Sequence, residues 1–216
     1  MLSIIRVCGG LLSPNNAGRP AGKTGQAKVL DDKELKRVLS VAEDNKHPNR
    51  NIAIVILSNY LGLRSKELAA LKINDVLEQD SIKKVLRLVA AYTKGDKHRD
   101  VSLENKAVIK ALQDYLTVRK TEDGSTFNGE APLFRSQKGT AFSANAMVRV
   151  LGDVYKNAGF NDASSHTGRR SLITKLAYNG IDLNSIRQIA GHSSISTTQR
   201  YIDDNPHKIA DILKSI

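Results

Sequence analysis

Apolar residues in this chain recur mostly at helical spacing, and that pattern narrows the choice of fold before anything else does. In "DDKELKRVLSVAEDN" they fall at Leu35, Val38, Leu39 and Ala42, behind an Asp suited to capping a helix. In "ENKAVIKALQDYLTVRK" Val108, Ile109, Leu112, Tyr115 and Leu116 share one face. "SANAMVRVLGDVYKNAG" opens on a Ser cap and closes on a Gly stop. "NIAIVILSNYLG" is apolar almost all round, which predicts a buried helix ending at Gly62, with a strand as the alternative because of its β-branched residues. "SKELAALKIND" reads as further helix. One interval breaks the pattern: Val85, Leu86, Leu88, Val89 and Tyr92 lead into the turn cluster "KGDK", and "RDVSL" follows, as strand, turn and strand. Residues 121–140 read as loop around a short candidate strand, "PLFRS". Three helices are expected between Ser164 and Asp203, and a last one, "PHKIADILKSI", closes the chain.

The composition agrees with helix. Trp is absent and aromatic residues are 5%, so the core is built from Leu, Ile, Val and Ala. The expected fold is mainly α with a small antiparallel β-sheet near residues 70–103. A length of 216 residues allows one sizeable domain plus an extension. The extension is residues 1–28, where "SPNNAGRPAGKTGQAK" reads as a flexible basic N-terminal arm, and the domain is residues 29–216.

A net charge of +11 favours a polyanionic partner, most often nucleic acid. Removing the four cations of the arm (Arg6, Arg19, Lys23 and Lys28) leaves the body basic as well. The single cysteine, Cys8, excludes an internal disulfide and a Cys-based zinc cluster, and points to the cytoplasm. No apolar run approaches the roughly 20 residues that span a bilayer, and Arg6 interrupts the apolar start, so no membrane partner is expected.

The stretch "SSHTGRRSLITKLAYNGIDLNSIRQIAGHSSISTTQRYID" gathers His166, Arg169, His192 and Tyr201. These groups suit phosphodiester chemistry without a metal. The attacked phosphorus gathers negative charge on its non-bridging oxygens, which fixed donors must stabilise. Arg does this best, since its planar fork matches two oxygens and stays charged. Tyr can form a covalent phosphoester, and Lys or His can protonate the departing oxygen. His166 and Arg169 are three apart and share a face if helical. "GHSS" breaks the span from His192 to Tyr201, which lets the two side chains fold toward a common point.

With "GLRSKEL" (Arg64), "YTKGDKHR" (Lys94), "HTGR" (His166, Arg169), "IAGHSS" (His192) and "TTQRYI" (Tyr201), the chain resembles the tyrosine recombinases, or phage integrases, from about Val29 to Ile216. Each motif alone is short. Together they fill all six positions of the family's catalytic set in the family's order. The resemblance implies the tyrosine recombinase (DNA breaking-rejoining) catalytic fold. It also implies a role for each residue. Tyr201 attacks the scissile phosphate and forms a 3′-phosphotyrosyl bond. Arg64, Arg169 and His192 hold the non-bridging oxygens. Lys94, at the hairpin tip, protonates the 5′-oxygen as it leaves, and His166 assists proton transfer. Glu67 orients the site. Because bond energy is kept in the protein–DNA link, no cofactor, ATP or metal is implied.

The family usually has an apolar residue where this chain has Gly168. Loss of a core side chain is expected to leave Arg169 less supported, with Thr167 and Leu172 as compensating neighbours. His166 and Arg169 are retained, so the site reads as varied rather than disabled.

The implied partner is double-stranded DNA, with a homo-tetramer assembled on it through the C-terminal helix and a partner recombinase as an option. The implied setting is a mobile element or prophage. Most relatives carry a helical DNA-gripping domain ahead of the catalytic one. Without it, the isolated chain is expected to bind DNA weakly and with strong salt dependence. Three other readings stand beside this one. A type IB topoisomerase would use the same chemistry and reseal the original strand. "SIRQIAGHSSISTTQRYI" also fits a helix-turn-helix regulator with "GHSS" as the turn, which leaves Arg64 and Lys94 without a purpose. Zinc on His166, His192 and His207 fits no usual ligand spacing.

Overall fold

The computed structural model describes residues 27–89 and 98–199. The described chain begins with α1 (Asp32–Glu43), α2 (Pro48–Leu61), α3 (Ser65–Ala70) and α4 (Ile73–Val76). Four short strands follow: β1 (Leu77–Glu78), β2 (Ser81–Ile82), β3 (Val85–Leu88) and β4 (Arg99–Ser102). Then come α5 (Lys106–Asp123), a 3-10 turn (Gly124–Thr126), α6 (Ala144–Asn157), α7 (Thr167–Tyr178), α8 (Leu183–Ala190) and α9 (Ile195–Gln199).

The caps expected from sequence are present. Asp31 accepts from the Glu34 backbone N–H at 2.7 Å, and Glu34 accepts from that of Asp31 at 3.1 Å, a reciprocal box that starts α1. Ser143 starts α6 by accepting from the Ala146 N–H at 3.1 Å. "NIAIVILSNYL" is helical, as α2, with Pro48 in its first turn and Gly62 at φ 63° past its end. Its β-branched residues do not make it a strand, because α2 lies between α1, α5, α6 and α7 and is buried all round. Burial against four helices outweighs a weak local preference.

Two details differ from expectation. "SKELAALKIND" is two helices, broken at Leu71, whose ψ of 139° leaves the helical region; Asp75 then accepts from the Lys72 N–H at 2.8 Å to start α4. The strands form two separate antiparallel pairs instead of one sheet. β1 and β2 are joined through Gln79 and Asp80, both at positive φ, the tight turn whose twist suits a two-residue hairpin. β3 and β4 pair Val85 with Ser102 through Leu88 with Arg99, and their expected "KGDK" turn lies outside the described residues. "PLFRS" makes only isolated bridges, Lys72 to Pro132 and Arg135 to Ala141. The expected arm lies almost entirely outside the described residues, and the closing helix lies wholly outside them.

The main core runs through α1, α2, α5 and α6 and takes in Leu86, Leu88 and Leu103 from the β3–β4 region. A second, small cluster of Ile173, Ala177, Ile186 and Ala190 joins α7 to α8. α7 also packs closely on α2. The end of α2, the start of α7 and the end of α8 therefore meet at one place.

Candidate active site

Arg64 begins α3 with extended backbone just after the Gly62 turn. Glu67, fully buried, braces it twice: one carboxylate oxygen accepts from the Arg64 backbone N–H at 2.8 Å, the other from Arg64 Nη1 at 2.7 Å. This leaves the guanidinium partly exposed and fixed in direction. Its Nη2 donates to the carbonyl of Gly191 at 2.9 Å.

Arg169 comes from the first turn of α7 and is only 3% exposed. Its Nη1 donates to the Gly62 carbonyl at 2.7 Å and its Nη2 to the Ala190 carbonyl. A third arginine completes the pattern. Arg99, on β4, donates from Nη1 to the Ile189 carbonyl at 2.6 Å and from Nη2 to Glu67 at 2.9 Å. Three consecutive carbonyls at the end of α8 thus hold guanidinium groups from β4, α7 and the α2–α3 turn. The carbonyls of Arg187 and Gln188 are closed by the backbone N–H groups of Gly191 and His192. Every orphan carbonyl of that helix end is accounted for, and its partial negative charge favours the cations gathered there.

Gly191, at φ 61°, reverses the chain and delivers His192 beside the arginines. The buried His192 ring hydrogen-bonds through Nδ1 to the Thr198 hydroxyl at 2.9 Å, tying the turn to α9. Burial first, then Arg169, Arg64 and Arg99, pushes its pKa down to about 4. His166, at the start of α7, keeps an exposed edge. Its pKa is also lowered, by partial burial first and then by Arg169 and Arg64. Both imidazoles are neutral at physiological pH, able to accept and to donate a hydrogen bond.

Gly168 is required where it stands. A Cβ there would lie 2.6 Å from the Ser58 hydroxyl oxygen and 3.0 Å from backbone atoms of Ser58 and Asn59 on α2. The expectation that a missing side chain leaves Arg169 less supported is corrected. The space is filled by α2 itself, and this close approach seats Arg169 against the end of that helix.

Of the six residues singled out from sequence, the structure brings Arg64, His166, Arg169 and His192 together. Lys94 and Tyr201 lie outside the described residues. Sequence reasoning passed over Arg99. Its signal was a cation at the inward position of a strand: β4 pairs it with Leu88, and both are buried.

Residues 28–208 match the model of the phage integrase family. The tyrosine recombinase XerC of Pelobacter propionicus is 34% identical over 160 residues, 74% of this chain and 49% of that protein. The crystal structure of XerA recombinase superimposes with a TM-score of 0.71 at 32% identity, covering 87% of this chain and 64% of the other. XerH site-specific recombinase, bound to a palindromic difH substrate in a post-cleavage complex, gives a TM-score of 0.66 at 25% identity, with 86% and 52% covered. The chain spans about half the length of the XerC relative.

Proposed function

We infer the function from one fixed point: the chain belongs to the phage integrase family. It cuts and rejoins double-stranded DNA at specific sites through a covalent link to Tyr201. The Tyr201 oxygen bonds to the scissile phosphorus and the bond from phosphorus to the 5′-oxygen breaks. His166 takes the phenolic proton, Lys94 gives the departing oxygen its proton, and a 3′-phosphotyrosyl bond remains. A second strand's 5′-hydroxyl then attacks the same phosphorus, gives its proton back to Lys94, and releases Tyr201, which recovers its proton from His166. The scheme conserves one phosphoester bond at each step, so it calls on no ATP, and the fixed arginines supply the charge stabilisation that a metal would otherwise give. On DNA the chain works as a tetramer of like subunits or beside a partner recombinase. Exposed Ile189 and Ile195, flanking the Gly191 turn, offer apolar surface to a neighbour.

The observation that carries this reading is the convergence of Arg64 and Arg169 on adjacent carbonyls, with His166 and His192 beside them. Fixed guanidinium groups are what a phosphorus centre gathering negative charge requires. A neutral His192 can donate to a non-bridging oxygen, and a neutral His166 can take or pass a proton. The basic body supplies the sequence-independent attraction for DNA.

The test uses nicked duplexes that trap cleavage, resolved on a denaturing gel. Wild type should leave DNA attached to protein and Tyr201→Phe should not. Relaxation of supercoils without any exchange of ends would argue for topoisomerase activity instead. Sequence-specific binding without an adduct would argue for a regulator.

A further inference from the structure

We propose that Arg99 is a positioning residue for strand cleavage, fixing the anion cradle by tying Glu67 to the end of α8. This deepens the functional reading above and rests on it. Arg99 touches no reacting atom in that scheme. It acts through the groups it holds.

Arg99 is 8% exposed, and a cation so deeply placed needs specific partners. It has two kinds. Glu67 accepts from Nη2 at 2.9 Å, and the Ile189 carbonyl accepts from Nη1 at 2.6 Å. The Glu67 oxygen it uses also accepts from the Arg64 backbone N–H, while the other oxygen holds Arg64 Nη1. One buried carboxylate therefore serves two arginines: the Arg99 guanidinium shares Oε2 with the Arg64 backbone N–H, and the Arg64 guanidinium takes Oε1. A buried ion pair alone would be weak grounds for a role, since apolar packing often replaces one at little cost. The second bond makes the difference. It joins the brace of Arg64 to the helix end that carries Gly191 and His192, and it sits in line with the bonds from Arg169 and Arg64 to the next two carbonyls. The bond from Arg64 to Gly191 is a second direct link between that brace and that turn.

Gly191 fits the same account. A Cβ there would come within 2.9 Å of Arg99 Cδ and 3.2 Å of its Nε. The bare backbone lets the arginine pass beneath the turn. Lysine cannot substitute, because its compact ammonium lacks the planar fork that spans a carboxylate and a carbonyl together.

The experiment selects duplexes bound by wild type from a pool of randomised nicked DNA, then uses one of them as a trap for cleavage. Melting temperature, Kd and the single-turnover rate of adduct formation at saturating DNA are measured for wild type, Arg99→Lys and Gly191→Ala. Both variants should bind within about threefold of wild type and cleave about 10- to 100-fold more slowly, since small displacements of a catalytic group cost rate more than affinity. Gly191→Ala keeps every charge but strains the turn that delivers His192 as well as crowding Arg99, so Arg99→Gln, which should cleave as slowly as Arg99→Lys, serves if Arg99→Lys fails to fold. A double-mutant cycle with Glu67→Gln separates positioning from independent structural damage. The double variant should cleave no more than about threefold below the slower single variant, because both changes cut one path. Losses that multiply, or Arg99→Lys and Gly191→Ala cleaving at the wild-type rate, overturn the inference while leaving the functional reading intact. A wild-type chain that forms no adduct overturns the functional reading, and this inference falls with it.

Discussion

Arg64 and Arg169, far apart in sequence, donate to the neighbouring carbonyls of Gly191 and Ala190 at one helix end. The two differ in burial, and the difference separates what each substitution does. Arg169 is buried between two carbonyls, so Arg169→Ala leaves the Gly62 and Ala190 oxygens short of a donor. Each such loss costs about 1–3 kcal/mol. Arg64 is partly exposed, so its removal opens the Glu67 carboxylate to water while Arg99 still holds that carboxylate. Both substitutions should lower the adduct rate by about 100- to 1,000-fold. Thermal unfolding should show a clear loss for Arg169→Ala and a smaller one for Arg64→Ala. Equal losses would mean that the carbonyl contacts of Arg169 carry little weight.

Glu67 is the most deeply placed carboxylate of the site, and it compensates the buried Arg99. Glu67→Ala removes one side of that pair and leaves a cation without its partner. The expected loss is about 3–5 kcal/mol, read from denaturant unfolding. A loss below about 1 kcal/mol would place Glu67 among ordinary surface ion pairs.

Gly168→Leu restores the apolar residue usual in the family at this position, and here it should do harm. The added side chain meets Ser58 and the backbone of Asn59. Overpacking of this kind costs about 1–3 kcal/mol. Even Gly168→Ala should lower the melting temperature. A stabilised Gly168→Leu variant would show that α2 and α7 can separate without cost.

Much of this was legible in the chain. Helical spacing located α1, α5 and α6, and Asp31 and Ser143 marked where two of them start. The four site residues that the structure describes stood in short motifs whose chemistry could be named. What escaped sequence reasoning depends on distant contacts. Arg99 gains meaning only when β4 pairs with β3 and brings it under the end of α8. Gly168 reads as a missing side chain until α2 is seen to occupy its space. The break at Leu71 and the two-residue strands β1 and β2 are too short to leave a periodicity. The bridge from "PLFRS" to Lys72 is likewise set by packing rather than by local preference.

His192 links stability to pH. Its pKa in the folded chain falls from an ordinary 6.5 to about 4, by burial first and then by the three arginines. Between those values the unfolded chain binds a proton that the folded chain refuses. The contribution is therefore whole above pH 6.5 and is lost as pH falls toward 4. Stability measured from pH 7 downward should fall less steeply for His192→Asn than for wild type across that window. Parallel curves would contradict the neutral, buried imidazole.

In the proposed reaction Tyr201 attacks a phosphorus held by Arg64 and Arg169. Mass spectrometry of a protease digest, after trapping on nicked duplex, names the residue that carries the DNA. One modified peptide is expected, containing Tyr201 joined to a 3′-phosphate, and it should disappear in Arg64→Ala and Arg169→Ala at short reaction times. DNA attached to any other residue, or bound duplex with no covalent peptide, would contradict it.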